Sequence, residues 1–329
     1  MDINTYRKLD GEAKEKWHSF MSDAGLCVSD DADFTVIISD NGDIVSSASR
    51  CGNVLKYFAV SPSMQGQNLT AKLITALSMD AFENGIHHLF VYTKPENGIL
   101  FESSLFYKVS ESSRVLLMEN EKGGIDKFLS SQPAVYSSGL TGAVVMNCNP
   151  FTLGHRYLIE KALERCDNLY VFVLCEDSSP IPAADRLSLV MEGTADLDNV
   201  TVYRTGDYLI SSATFPDYFL KEKTDATDAQ CELDTTVFAG HFAPYYNIGI
   251  RFFGTEPDSD VTARYNTVAK KLLPAYGIGC TEIPRLTDGS GRPVSAGEVR
   301  RLLNKNRPEE IKKLVPESTF AYLSRRGLI

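Results

Sequence analysis

No stretch of this chain approaches the roughly 18 consecutive apolar residues that a membrane-spanning helix needs. The opening, MDINTYRKLDGEAKEKW, is charged where a secretory leader would carry an apolar core. Both absences point to a cytoplasmic protein with no membrane partner. Paired cysteines are missing too: the seven (Cys27, Cys51, Cys148, Cys166, Cys175, Cys231 and Cys280) are odd in number, widely spaced and include no C-x-x-C. Neither a disulfide framework nor a zinc site follows from such spacing, and reduced thiols are expected. Nor is there any excess of positive charge. The 33 Lys and Arg face 43 Asp and Glu, a net charge of −10. Nucleic-acid binders concentrate basic surface, so no nucleic-acid partner is expected, and a small anionic substrate would need a locally positive pocket. No internal repeat and no dedicated carboxylate cage for a metal is visible.

What is present is an ordinary globular composition, 43% hydrophobic and 23% charged, in 329 residues, which exceeds the size at which a single core usually keeps growing. Two domains are therefore expected. Apolar runs at 34–39 and 54–60 read as strands of an antiparallel sheet, with the turn Asn41-Gly42 after the first. Leu69, Leu73, Ile74, Leu77 and Ala81 recur at helical spacing up to the stop at Gly85. A strand over 87–94 and a short helix over 99–107 follow. Residues 121–138, rich in Gly, Ser and Lys and carrying Pro133, break the periodicity and read as a linker, giving domains at 1–138 and 139–329.

Beyond the linker the pattern alternates. Strands are expected at 142–148, 168–175, 200–204, 249–254 and 279–284, and helices at 153–166, 184–193, 234–245, 262–273 and 295–304. Unbroken apolar strands alternating with amphipathic helices predict a parallel sheet covered on both faces, so the fold class is α/β. The acidic stretch 224–234 and the Gly-rich loop DGSGRP (288–293) each adjoin a candidate site.

The most informative segment is GAVVMNCNPFTLGHRYLIEKA, residues 142–162: a buried strand, a sharp step at Asn149-Pro150, then a helix opening at Thr152. In parallel sheets ligands bind at the carboxyl ends of strands, where helix N-termini turn free N–H groups and a positive dipole toward an anion. Thr152 can cap the helix, Gly154 would let a ligand approach the backbone, and His155 projects an imidazole from the first turn. A neutral imidazole there can donate a hydrogen bond to phosphate oxygens in a transition state. Near the other end, VSAGEVR starts a helix after the Gly-rich loop. Ser295 and the adjacent N–H groups can hold phosphates while Arg300 neutralises them.

These two segments resemble the paired signatures of the nucleotidyltransferase superfamily, T/H-x-G-H and I-S-S/A-S/T-x-I/V-R. Gly297 stands where the second usually has a hydroxyl residue. Within the superfamily, MNCNPFTLGHRYLIEKA, CEDSSPIPAADRL, SSATFPDYFLK and RFFGTEPDSDVTARYN resemble the citrate lyase ligase family. That resemblance implies a Rossmann-like domain binding ATP, with Mg2+ carried mainly by the phosphates. It also implies activation of acetate and acetylation of the thiol prosthetic group on the acyl carrier protein of citrate lyase, with release of AMP and pyrophosphate. Carried over to this chain, the nucleotide-site candidates are Asn149, Thr152, His155, Ser295 and Arg300. Arg186 is a further phosphate or carboxylate candidate, and Gly254 and Glu256, after the strand RFFG, are candidates for the adenine or ribose. Cys148 reads as packing rather than a nucleophile.

In the first domain, YFAVSPSMQGQNLTAKLI resembles the acyl-CoA turn of GNAT acetyltransferases. Gly66 is retained, but Asn68 and Thr70 stand at the two small positions, so a GNAT-like fold without transferase activity is expected. Two other functions remain open from the sequence: an adenylyltransferase for a phosphorylated small molecule, and a non-catalytic protein that assembles or regulates the lyase.

Overall fold

A computed structural model describes residues 1–136, 138–175, 181–209, 223–256 and 259–329, with side chains from 227 in the fourth stretch. Of the segments that carry the family resemblance, all of SSATFPDYFLK (211–221) and parts of two others, at 176–180 and 257–258, lie outside the described residues. The chain forms two compact units that change over between Ile125 and Asp126; of the described residues, the helical stretch 223–233 counts with the first unit.

Among the described residues the first unit holds seven strands: β1 (Asp2–Tyr6), β2 (Phe34–Asp40), β3 (Asp43–Cys51), β4 (Val54–Val60), β5 (Phe90–Thr93), β6 (Tyr107–Glu111) and β7 (Leu116–Glu119). They lie in the order β1-β2-β3-β4-β5-β7-β6. Pairing is antiparallel except between β4 and β5, which run parallel and meet only at Val54 with Phe90 and Leu55 with Val91. Strand alternation fills both faces. Val36 and Ile38 join the core under helix α2 (Leu69–Glu83), while Ile37 packs with Trp17 and Met21 of helix α1 (Gly11–Asp23). Asn68 precedes α2 in the left-handed region (φ 57°), a conformation that Gly and Asn tolerate best. A short helix, α3 (Gly98–Glu102), ends earlier than its pattern predicts. This is the GNAT-like α/β architecture expected, although β1, α1, β3, β6 and β7 were not legible beforehand.

The expected linker is not bare loop: residues Gly124–Ser130 form helix α4, whose Ile125 and Leu129 are buried. Two apolar side chains four apart are enough for one buried face, and the flanking Gly and Ser hid them.

Among its described residues the second unit holds a five-stranded sheet of β8 (Thr141–Met146), β9 (Asn168–Val173), β10 (Val200–Arg204), β11 (Ile248–Gly254) and β12 (Gly279–Ile283). All pairs are parallel, in the order β10-β9-β8-β11-β12. The chain thus winds outward from β8 through β9 to β10, then returns to the other side of β8. The reversal opens a crevice at the carboxyl ends of β8 and β11, the topological switch point of a Rossmann-like sheet.

Its helices are α5 (Leu153–Leu163), α6 (Ala183–Gly193), the last turn of α7 (Lys223–Val237, whose residues up to Leu233 count with the first unit), a π-helical turn (Phe238–Phe242) running into α8 (Ala243–Tyr245), α9 (Asp260–Leu272), α10 (Ala296–Leu303), α11 (Pro308–Ile311) and α12 (Glu317–Arg325). The acidic stretch is therefore helical. One face of the sheet packs Val144, Met146, Val171 and Phe252 against Phe151, Ile159, Val294, Val299, Leu302 and Leu314. Each such side chain contributes about 1.5–3 kcal/mol on full burial. Residues from both signature segments share this core, which is what draws together stretches of chain some 140 positions apart.

Candidate active site

The site is built on the step between β8 and α5. Cys148 adopts a left-handed backbone (φ 54°), Asn149-Pro150 is a cis peptide bond, and Phe151 turns down into the core, where its ring fills the space beside Gly193. Thr152 is fully buried and is the N-cap of α5. Its hydroxyl oxygen accepts from the His155 N–H at 3.3 Å, and its own N–H donates to His155 Nδ1 at 3.1 Å. The hydroxyl also lies 2.9 Å from Nδ1. A backbone N–H can only donate, so Nδ1 is the acceptor nitrogen and the ring proton sits on Nε2.

This reciprocal cap fixes the imidazole in one tautomer and one orientation, stacked on Phe151 at 5.9 Å between centroids. Burial first, then the guanidinium groups of Arg285 and Arg300, pushes the His155 pKa down to about 4. The ring is therefore neutral at physiological pH and presents Nε2–H as a hydrogen-bond donor.

Helix α10 begins at the N-cap Ser295, whose Oγ accepts from the Glu298 N–H at 3.2 Å. Arg300, on its exposed side, donates from Nη1 to the Asn149 carbonyl at 2.6 Å and has no carboxylate partner among the described residues. Asn149 is buried, and its Oδ1 has no hydrogen-bond partner among the described residues. An orphaned buried acceptor costs on the order of 1–3 kcal/mol unless a ligand satisfies it.

Gly154 is required for a different reason from the one its motif suggested. A Cβ there would overlap the carbonyl oxygen of Val294 and stand 3.2 Å from its carbonyl carbon. The close approach it permits is that of the chain itself, immediately before Ser295. The loop 288–293 that leads there is a tight turn rather than a free coil: the Asp288 carboxylate accepts from Ser290 N–H, Ser290 Oγ and Arg292 N–H. Those bonds hold the Asp288 pKa down at about 2. Gly297 is exposed, and a Cβ there would stand at ordinary contact distance from Ser295 Oγ (3.8 Å) and Arg300 Nη2 (3.9 Å).

The remaining candidates have structural partners. Arg186 is fully buried; Nε donates to the Ile181 carbonyl at 3.1 Å and Nη1 to the Asn147 carbonyl at 2.8 Å, tying the end of β8 to the start of α6. Gly254 closes β11 and accepts at its carbonyl from Asn266 Nδ2 at 2.9 Å. Glu256 pairs with Arg285. Cys148 is buried with its thiol pKa pushed up by burial, which suits packing and not nucleophilic attack.

Arg285, two residues beyond β12, belongs to no recognised motif, and sequence reasoning missed it. The only signal was position, a cation just past the carboxyl end of a parallel strand.

The family model for the citrate lyase ligase C-terminal domain matches residues 141–323. A [citrate [pro-3S]-lyase] ligase of Klebsiella pneumoniae is 38% identical over 320 residues, covering 95% of this chain and 93% of that protein. The Escherichia coli protein of the same name is 38% identical over 311 residues, 92% of this chain and 88% of its own length. Among solved structures, Thermotoga maritima TmcAL bound with alpha-thio ATP aligns at TM-score 0.38 and 16% identity, covering 56% of this chain and 55% of that one. Escherichia coli ElaA aligns at TM-score 0.34 and 12% identity over 37% of this chain and all of its own. With a family model spanning more than half its length and relatives alike from end to end, the chain belongs to the citrate lyase ligase family.

Proposed function

We propose that this chain is an AMP-forming acid–thiol ligase that activates acetate with ATP and acetylates the thiol prosthetic group on the acyl carrier protein of citrate lyase. The observation that carries the reading is the meeting of both signature segments at the switch point, where Arg300 is anchored to Asn149 and Val294 abuts Gly154. The named relatives support the ligase class.

The residues fit a nucleotide triphosphate. Nε2–H of His155 and the guanidinium of Arg300 are donors suited to an anion, and the buried Asn149 Oδ1 can accept from an amino or hydroxyl group of a nucleotide. In the first half-reaction an acetate oxygen attacks the α-phosphorus and the bond from it to the bridging oxygen of the β-phosphate breaks, leaving acetyl adenylate and pyrophosphate. His155 donates a hydrogen bond to charge building on the phosphoryl oxygens, with no reorientation needed because Thr152 already holds it. Arg300 neutralises the departing pyrophosphate. In the second half-reaction the thiol sulfur attacks the acetyl carbon, loses its proton and expels AMP.

Magnesium carried by the phosphates would offset part of their charge. Among the described residues no group of three or more His, Cys, Asp and Glu converges to hold an ion. None of the helices in the described residues is long and apolar enough to cross a membrane. We assign the chemistry to residues 139–329 and a docking role, for the lyase or its carrier protein, to residues 1–138.

The decisive experiment is isotope exchange. Acetate should drive labelled pyrophosphate into ATP with magnesium and without any carrier protein. Folded protein that exchanges only with a phosphate ester is an adenylyltransferase, and one that exchanges with nothing is a binding protein; either result sinks the ligase reading.

A further inference from the structure

Arg285 is held in an unusually complete way for a side chain outside any motif. Its backbone N–H donates to Thr255 Oγ1 at 3.1 Å, Nε donates to the Thr255 carbonyl at 2.7 Å, and Nη2 pairs with the carboxylate of Glu256. All three partners lie on the loop after β11, at the carboxyl edge of the sheet. A guanidinium fixed in its plane by such contacts has already lost its rotamer freedom, so little more is lost when it meets a ligand. The remaining amino group, Nη1, makes no hydrogen bond among the described residues.

Backbone contacts then relate Arg285 to the catalytic imidazole. The carbonyl of the next residue, Leu286, accepts from the Val294 N–H at 2.9 Å. Val294 in turn sets its own carbonyl against Gly154, the neighbour of His155. The electrostatic influence of Arg285 on the imidazole agrees with this proximity.

We propose that Arg285 is a second pyrophosphate-binding cation of the adenylating site, and that Glu256 is the residue that positions it. The inference rests on the ATP reading above and deepens it. A departing pyrophosphate carries several negative charges, whereas Arg300 brings one positive charge from an exposed helix face. Arg285 supplies another from a different element, so the leaving group is bracketed rather than held from one side. Glu256 keeps that cation partly compensated before the nucleotide binds, which lowers the cost of holding it half out of solvent.

The test is calorimetric titration of the full-length protein, with magnesium, by inorganic pyrophosphate and separately by AMP. Wild type should bind both. Arg285→Gln, which keeps an amide donor for the Thr255 carbonyl but no charge, should weaken pyrophosphate by roughly tenfold or more and leave AMP within about twofold. Glu256→Gln should weaken pyrophosphate in the same direction but less. Equal losses for AMP and pyrophosphate in Arg285→Gln would mean that the residue only braces the loop, and unchanged pyrophosphate affinity would remove it from the site; either overturns the proposal. Wild type that binds no pyrophosphate overturns the nucleotide site itself, so the two failures are distinguishable.

Discussion

The carbonyl of Val294 occupies the space where a side chain on residue 154 would begin, so the N-terminus of α5 and the approach to α10 touch backbone to backbone. The first residues of the two signature helices are held at one crevice by that contact. The glycine of the first signature thereby determines where the second one lies.

Replacing Gly154 by Ala should therefore damage both halves of the site together. The added methyl meets a backbone oxygen that cannot rotate away, and overpacking of this kind costs about 1–3 kcal/mol. Thermal unfolding should shift downward and ATP affinity should fall. A variant with unchanged Tm and unchanged ATP binding would show that the segments are held together by something else.

His155→Ala should lower the rate of adenylate formation by roughly 100-fold or more, the scale of losing one preorganised donor, with the fold intact. The measurement is acetate-dependent pyrophosphate exchange in protein of native circular dichroism. Full activity would exclude the imidazole from the chemistry.

The same histidine makes a pH prediction. Its pKa is about 4 in the folded protein against an ordinary 6.5, so between those values the unfolded chain binds more protons than the folded one. Stability from this group is fully present above pH 6.5, declines as the pH falls toward 4, and levels off below it. His155→Gln should thus show a smaller loss of Tm between pH 7 and pH 4.5 than wild type. An identical loss would mean that other groups carry the acid sensitivity.

Arg300→Ala should chiefly raise the Kd for ATP, by roughly tenfold or more, because a charge-assisted contact to phosphate is lost. AMP, which lacks the outer phosphates, should bind nearly as before. Equal weakening of both nucleotides would point instead to the lost Asn149 carbonyl contact loosening the β8–α5 step.

Much of the second unit was legible because its signals are local. Apolar runs such as VVM and YVFV carry their own strand identity, and Thr152, His155 and Ser295 sit at caps whose partners lie within three residues. The strands and helices missed in the first unit show the converse. The run DIVSSASRC becomes β3 because two of its buried Ser side chains find partners inside the sheet, Ser47 Oγ donating to the Val36 carbonyl and Ser49 Oγ bonding with Thr35 Oγ1, and no residue in the run announces that. Similarly, a Gly- and Ser-rich stretch became α4 once Ile125 and Leu129 found a surface to bury against.

The residue types of the site, the helix starts that hold them and the α/β class were determined by sequence alone, through periodicity and capping over a few positions. Only the tertiary structure decided which of those residues share one crevice. Parallel strand order placed β11 beside β8, a buried core shared by Phe151 and Val299 drew the two signatures together, and the Thr255 and Glu256 loop fixed the guanidinium of Arg285. Those outcomes depend on contacts between residues far apart in the chain, whose strength comes from burial and loop closure rather than from any local pattern.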